Sequence, residues 1–83
     1  MNNIARSPKQ VGHIIQQFRK LKGMSQADLA GLAGLRQEQI SRIEGGAIES
    51  KISTIFDLLA ALDLELTINP RTSKSSVRIE DIF

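Results

Sequence analysis

The stretch SQADLAGLAGLRQEQISRIEGG, residues 25–46, predicts two short helices with a glycine between them. The first helix begins at Ser25, and Asp28 stands three residues later, where its side chain can complete a capping box. Gly34 ends this helix, because glycine accepts the left-handed backbone conformation of a tight turn without strain. The pattern therefore predicts two helices joined by a short turn, which is a helix-turn-helix arrangement.

The second helix of this stretch is polar over most of its surface. It starts near Arg36 and ends at Gly45-Gly46, and its predicted buried positions are Ile40 and Ile43. Long hydrogen-bonding side chains and a serine occupy the exposed positions: Arg36, Gln37, Glu38, Gln39, Ser41 and Arg42. An α-helix fits the major groove of DNA, where base edges offer hydrogen-bond donors and acceptors to such side chains. A solvated polar helix without a ligand is the alternative interpretation.

Three further segments with regular patterns flank the two helices. SPKQVGHIIQQFRKLKG, residues 7–23, predicts a helix capped by Ser7, with a proline at its first position and Gln10 completing an S-x-x-Q capping box. ISTIFDLLAALDL, residues 52–64, predicts a fourth helix that is apolar enough to pack on several sides. LELTI, residues 64–68, alternates apolar and polar residues and predicts a strand.

The composition argues against several classes of function. The 83 residues suffice for one domain and include no cysteine and a single histidine, His13, so neither a disulfide nor a metal site is expected. No nucleophile–base pair or phosphate loop is visible, and we therefore expect neither an enzyme nor a cofactor. No apolar run approaches the roughly 20 residues that span a bilayer, and no signal peptide opens the chain. A cytoplasmic protein is the expectation.

The charges are distributed unevenly along the chain. Residues 1–51 carry eight lysines and arginines against four acidic residues, whereas residues 52–70 carry three acidic residues and no basic one. Such a division indicates a basic face for a polyanion and a separate region that is not basic.

Residues 11–62 resemble the Cro/Xre repressor family of helix-turn-helix proteins, on the motif quoted above. The resemblance implies a mainly α, lambda-repressor-like DNA-binding domain of four to five helices that works as a dimer. It also implies a structural ion pair between Arg19 of the first helix and Glu44 at the end of the recognition helix.

The resemblance and the chemistry of the side chains together assign the DNA contacts. Arg36 suits guanine and Gln37 suits adenine, while Glu38 could accept a hydrogen bond from cytosine. Gln26 matches a family position that contacts backbone phosphate, whereas Arg36 stands where the family often has serine or threonine. The predicted base contacts are Arg36, Gln37, Glu38 and Arg42. The predicted contacts to the DNA backbone are Ser25, Gln26, Gln39, Ser41 and Lys51.

The predicted strand indicates how the chain assembles. A lone strand exposes unpaired backbone groups, and antiparallel pairing with a second copy would satisfy them and form a homodimer. Leu64, Leu66 and Ile68 share the apolar face of this strand. The strand and the polar tail after it are similar to HipB-type antitoxins, which bind a HipA-type kinase toxin and repress their own operon. This similarity implies operator DNA, a second copy and a kinase toxin as partners, and an association with the nucleoid.

The predicted organisation has three parts. Residues 1–6 form an N-terminal arm, residues 7–70 form the helix-turn-helix domain, and residues 71–83 form a flexible tail. The tail ends in VRIEDIF, in which Ile82 and Phe83 are the expected toxin contacts. Two alternatives remain open: a phage-type or restriction-control repressor without a toxin partner, and a HigA-type antitoxin.

Overall fold

The structure, a computed structural model, describes residues 3–46 and 49–71. Within them lie four α-helices: α1 (Pro8–Leu21), α2 (Gln26–Ala33), α3 (Gln37–Glu44) and α4 (Ile52–Ala61). Helix α3 packs against α1 and α2, and α4 packs against α2. The predicted mainly α helix-turn-helix fold is confirmed. No helix of the described part is both long and apolar enough to cross a membrane.

The starts of α1 and α2 are set by side-chain caps. The hydroxyl of Ser7 accepts the N–H of Gln10 at 3.2 Å. In α2 the capping box is complete, because Ser25 accepts the N–H of Asp28 at 3.0 Å and Asp28 accepts the N–H of Ser25 at 2.9 Å. Of the two hydrogen bonds of the capping box predicted for α1, only the one from Gln10 to Ser7 is present. The long side chain of Gln10 reaches one residue further back and accepts the N–H of Arg6 instead.

The turn between α2 and α3 depends on Gly34. Its φ of +71° and ψ of +32° lie in the left-handed region, where a residue with a Cβ atom would be strained. The next residue, Leu35, donates its N–H to the carbonyl of Ala30 at 2.9 Å and so closes the end of α2. The glycine therefore ends α2 and redirects the chain into α3, as predicted.

The core is built from aliphatic residues of all four helical segments. A fully buried leucine or isoleucine contributes about 1.5–3 kcal/mol relative to an exposed one. Phe18 lies at the edge of the core and is only partly buried. Ile40 and Ile43, the two residues of α3 that were predicted to be buried, are buried. The buried apolar residues are Ile15, Leu29, Ala30, Ile40, Ile43, Leu58 and Leu62.

Helices α1 and α3 approach each other closely at Gly12. A Cβ atom at this position would lie 2.0 Å from the carbonyl oxygen of Ile43, far inside van der Waals contact. Only a residue without a side chain permits this separation, because the obstructing atom belongs to the backbone of α3. Gly12 therefore fixes how near the end of α3 comes to α1.

Helix α4 ends three residues earlier than the sequence predicts. Asp63 adopts a left-handed backbone with φ of +58°. The N–H of Asp63 donates to the carbonyl of Ala60 at 3.1 Å, and the N–H of Leu64 donates to that of Leu59 at 2.8 Å. These two bonds are those of a Schellman motif, which stops a helix even where the apolar pattern continues.

The predicted packing of α4 on several sides is wrong for the single protomer. Leu58 is buried, but Ile52 and Phe56 are 70% and 47% exposed. After α4, residues 64–70 belong to no helix or strand of the described protomer. Because the predicted strand needs a second copy to pair with, it stays a prediction. Of the predicted strand residues, Leu64 is partly buried against the core, and Leu66 and Ile68 are 53% and 90% exposed.

The predicted tail lies outside the described residues from position 72 onward. Its expected toxin contacts, Ile82 and Phe83, are therefore not located by the structure.

Candidate nucleic-acid interface

A buried ion pair joins the first and third helices. Nε of Arg19 lies 2.6 Å from Oε2 of Glu44, and Nη2 of Arg19 lies 3.0 Å from Oε1. Both residues are buried, at 7% and 9% exposure. Two parallel hydrogen bonds of this kind fix the relative position of guanidinium and carboxylate. The predicted pair between Arg19 and Glu44 is present in the structure.

Two further hydrogen bonds attach the start of α2 to this ion pair. Nη1 of Arg19 donates to the carbonyl of Met24 at 2.8 Å, in the loop between α1 and α2. Nε2 of Gln26, the first residue of α2, donates to Oε1 of Glu44 at 3.1 Å. Helices α1, α2 and α3 therefore meet at one polar network. We call these four residues, Arg19, Met24, Gln26 and Glu44, the anchor network.

The anchor network changes the acidity of its carboxyl group. Burial raises the pKa of Glu44, but hydrogen bonds from Arg19 and Gln26 and the charges of Arg19 and Lys20 outweigh it. The pKa of Glu44 therefore lies below its ordinary value of 4.5. The hydrogen bond with Glu44 raises the pKa of Arg19, although burial acts in the opposite direction. Both groups are charged at neutral pH.

Five polar side chains from α2 and α3 line a shallow depression beside the anchor network. Its volume is about 420 Å³. We call it the reading surface; its lining residues are Gln26, Gln37, Glu38, Ser41 and Arg42. All five are among the predicted DNA contacts, so the fold brings residues from two helices to one surface.

The beginning of α3 places three of the predicted base contacts in solvent. Arg36 is the N-cap in an extended conformation, and its side chain makes no capping hydrogen bond. The side-chain oxygen of Gln39 instead accepts the N–H of Arg36 at 2.9 Å. Arg36, Gln37 and Glu38 are exposed at this end of the helix. Gln39 thus caps α3 with its oxygen, which leaves its amide NH₂ group as the part that can reach a phosphate.

The beginning of α2 carries a second set of polar atoms. The hydroxyl of Ser25 is occupied as the cap of α2, and hydrogen bonds from Ser25 lower the pKa of Asp28. The first N–H groups of a helix lack intrahelical partners and attract anions. Lys51 lies apart from these residues, exposed at the N-cap of α4, and does not line the reading surface.

Parts of the anchor network were not predicted from the sequence. The hydrogen bond between Gln26 and Glu44 joins residues 18 positions apart, and no local spacing indicates it. The roles of Met24 and Lys20 were missed for the same reason, because they depend on how α1 meets the turn that follows it. Within residues 3–46 and 49–71, no cluster of histidine and acidic side chains could hold a metal ion.

A family model described as Helix-turn-helix matches residues 15–69. The chain belongs to this family.

Among proteins of known sequence, the uncharacterized HTH-type transcriptional regulator y4dL of Sinorhizobium fredii is 38% identical over 69 residues. These residues are 80% of this chain and 35% of that protein. The antitoxin HipB of Escherichia coli K12 is 31% identical over 62 residues, which are 75% of this chain and 70% of HipB. The chain thus spans about a third of y4dL.

Solved structures of HipB superpose closely on the fold. A serine-to-alanine variant of HipB in complex with the O2 20mer has a TM-score of 0.81 at 28% identity, covering 87% of this chain and all of that one. A chain of the HipA–HipB–O2–O3 complex has a TM-score of 0.79 at 27% identity, with 86% and 100% coverage. The restriction-modification controller C.AhdI of Aeromonas hydrophila has a TM-score of 0.66 at 33% identity, with 70% and 88% coverage. The predicted similarity to HipB-type helix-turn-helix proteins is confirmed.

The anchor network predicts a specific loss of stability in acid. Because the pKa of folded Glu44 lies below 4.5, its ion pair contributes fully above that pH and is lost as the pH falls through the folded pKa. At neutral pH, Glu44→Gln should cost about 3–5 kcal/mol of unfolding free energy, since it leaves a buried guanidinium without its counter-charge. The variant should also lose less stability than wild type on acidification.

Urea unfolding measured between pH 7 and pH 3 tests this prediction. Glu38→Gln, a matched change on the exposed side of the same helix, should alter the unfolding free energy by less than about 0.5 kcal/mol. Equal effects of the two substitutions would show that the anchor network does not stabilise the fold.

Proposed function

We propose that the chain is a sequence-specific repressor and the antitoxin of a HipA-type kinase toxin. In this role it binds its own operator as a homodimer, represses its operon and neutralises the toxin. The observation that carries the DNA-binding part is the reading surface, where α2 and α3 present polar side chains held in place by the anchor network. The antitoxin part is supported by the similarity to HipB in sequence and fold.

The start of α3 supplies the proposed base contacts. Arg36 carries a planar fork of donors that fits O6 and N7 of guanine, and Gln37 fits N6 and N7 of adenine. Glu38 can accept from N4 of cytosine, and Arg42, one turn further along, can reach another base or a phosphate. Their exposure at the N-terminal end of α3 supports these roles, because recognition helices contact bases with that end.

The proposed backbone contacts surround this helix. Ser25 and Gln26 stand at the start of α2, where unpaired N–H groups favour a phosphate. Ser41 lines the reading surface, and Gln39 keeps its amide NH₂ group as a donor while its oxygen caps α3. Lys51 is an exposed cation at the start of α4 and would contact a phosphate beyond the reading surface.

The base and backbone roles predict different losses of affinity. Arg36→Ala should cost about 1–3 kcal/mol per half-site on the operator and relax specificity at one base pair. Lys51→Ala should weaken binding to all sequences alike and reduce the slope of log affinity against log salt by about 1. Fluorescence anisotropy with operator and random duplexes measures both effects. Equal losses of Arg36→Ala on the two duplexes would mean that Arg36 contacts only the backbone.

Exposed apolar side chains outside the DNA-facing helices support the proposed dimer. Ile52 and Phe56 are one turn apart on α4, and both are exposed together with Leu66 and Ile68 in the segment that follows. Large apolar side chains that one protomer leaves exposed can be buried between two protomers. A second copy that paired antiparallel through residues 64–68 would cover Leu66 and Ile68 and satisfy the backbone groups of both segments.

The dimer proposal predicts that one face of residues 64–68 is sensitive to charge. Leu66→Lys should shift the protein toward monomer, because it buries a lysine in the apolar interface. Thr67→Lys introduces the same side chain on the opposite face and should leave the dimer intact. Sedimentation equilibrium distinguishes the two. A Leu66→Lys protein that dimerises like wild type would exclude the strand as the interface.

The antitoxin proposal predicts a second partner that does not need DNA. Affinity capture of the tagged chain from its native host, followed by mass spectrometry, should recover a HipA-type kinase. Deletion of residues 77–83 should reduce the recovered kinase and leave operator affinity unchanged, since Ile82 and Phe83 are the proposed toxin contacts. Arg36→Ala serves as the reverse control, because it should reduce the recovered operator DNA and leave the recovered kinase unchanged. Recovery of DNA without any kinase from wild type would contradict the antitoxin role.

A restriction-control regulator is the second candidate function. The similarity to C.AhdI, 33% identical over 70% of this chain, favours it for the helix-turn-helix domain. The same capture experiment separates the two candidates, because a regulator of this kind would bind its operator with no kinase partner.

A further inference from the structure

Glu44 connects a buried residue, Arg19, to a residue of the reading surface, Gln26. Its carboxylate is buried and receives two hydrogen bonds from Arg19, yet it also receives one from Gln26, whose side chain lines the reading surface. We propose that Glu44 is a positioning residue for DNA binding: it holds the amide of Gln26 so that this amide donates a hydrogen bond to a backbone phosphate. The inference rests on the proposed DNA binding and assigns Glu44 a role beyond stabilising the fold.

The chemistry of the Gln26 amide permits both contacts at once. A side-chain NH₂ group carries two N–H donors that point in different directions. One of them is directed to Oε1 of Glu44 at 3.1 Å. The nitrogen cannot turn away without breaking a hydrogen bond to a charged group, so the second donor keeps a fixed direction. Gln26 is only partly buried and lines the reading surface, so we expect its second donor to meet an anion bound there.

The carboxylate that holds this amide is itself immobile. Both oxygens of Glu44 are bound by Arg19, at 2.6 Å and 3.0 Å. The same guanidinium donates to the carbonyl of Met24 at 2.8 Å and so also fixes the loop that leads into α2. The loop before Gln26 and the end of the Gln26 side chain are thus attached to one rigid group.

Fixing the glutamine before DNA arrives favours binding. Glutamine is among the side chains with the most rotamer freedom to lose on being ordered. A side chain already ordered in the free protein does not lose this freedom when the phosphate binds, so affinity increases. A glutamine that served the core alone would have no need to line an exposed surface beside Gln37 and Arg42.

Two variants separate positioning from stability. Gln26→Met removes the amide and leaves the ion pair of Arg19 and Glu44 in place. The double variant Arg19→Met, Glu44→Leu replaces the buried pair by apolar side chains of similar volume, a change that is often neutral or stabilising. Thermal unfolding verifies that both proteins fold before DNA is added. The triple variant, which combines all three substitutions, completes a thermodynamic cycle.

The probe is the operator duplex selected by the wild-type protein, with single phosphates replaced in turn by neutral methylphosphonates. Wild type should lose about three- to tenfold in affinity per half-site when the phosphate facing Gln26 is replaced. Gln26→Met should bind the unmodified duplex about that much more weakly and become insensitive to this replacement. The folded double variant should show the same two changes, and adding Gln26→Met to it should have no further effect.

The contrary results are equally distinct. A folded double variant that keeps wild-type operator affinity and phosphate sensitivity would overturn the positioning role. The positioning role would also be overturned if Gln26→Met reduced operator affinity equally in the wild-type protein and in the double variant. A wild-type protein that binds operator and random duplexes equally would instead refute the proposed function, and with it the positioning role that rests on it.

Discussion

A buried ion pair between Arg19 and Glu44 connects α1 to the two helices that line the reading surface. The helices α2 and α3 have only eight residues each, too short to be stable alone in water. The arginine binds the carboxylate at the end of α3 and the loop before α2, and the carboxylate in turn binds Gln26. Burial makes this network expensive to break, because each charge would be left without its partner.

Close packing and the ion pair determine together which side chains face outward. Gly12 lets the end of α3 approach α1, and Glu44 lies at that end, beside Ile43 whose carbonyl oxygen leaves no room for a Cβ atom. With the end of α3 fixed against α1 and Ile40 buried in the core, the polar side of α3 faces solvent. Gln37 and Glu38 are therefore presented together with Gln26 at the reading surface.

The features that could be predicted from the sequence are local ones. Ser7, Ser25 and Gly34 mark helix ends through interactions within a few residues, and the spacing of Ile40 and Ile43 gives the buried side of α3. Apart from the cap of α1, where Gln10 reaches Arg6 instead of Ser7, the features that were mispredicted or missed depend on distant contacts or on a single backbone angle. The end of α4 follows from the left-handed conformation of Asp63, and the link from Gln26 to Glu44 exists only once three helices are packed.

An NMR titration of the ¹⁵N-labelled protein with operator DNA tests most directly whether this arrangement is a DNA-reading surface. If α2 and α3 bind the operator, the largest amide shift changes should fall at residues 24–27 and 36–42, where these two helices begin. Residues 55–61 of α4, which lie beyond the proposed phosphate contact at Lys51, should change little. The largest changes along residues 55–61, with residues 36–42 unaffected, would show that α3 does not bind the operator.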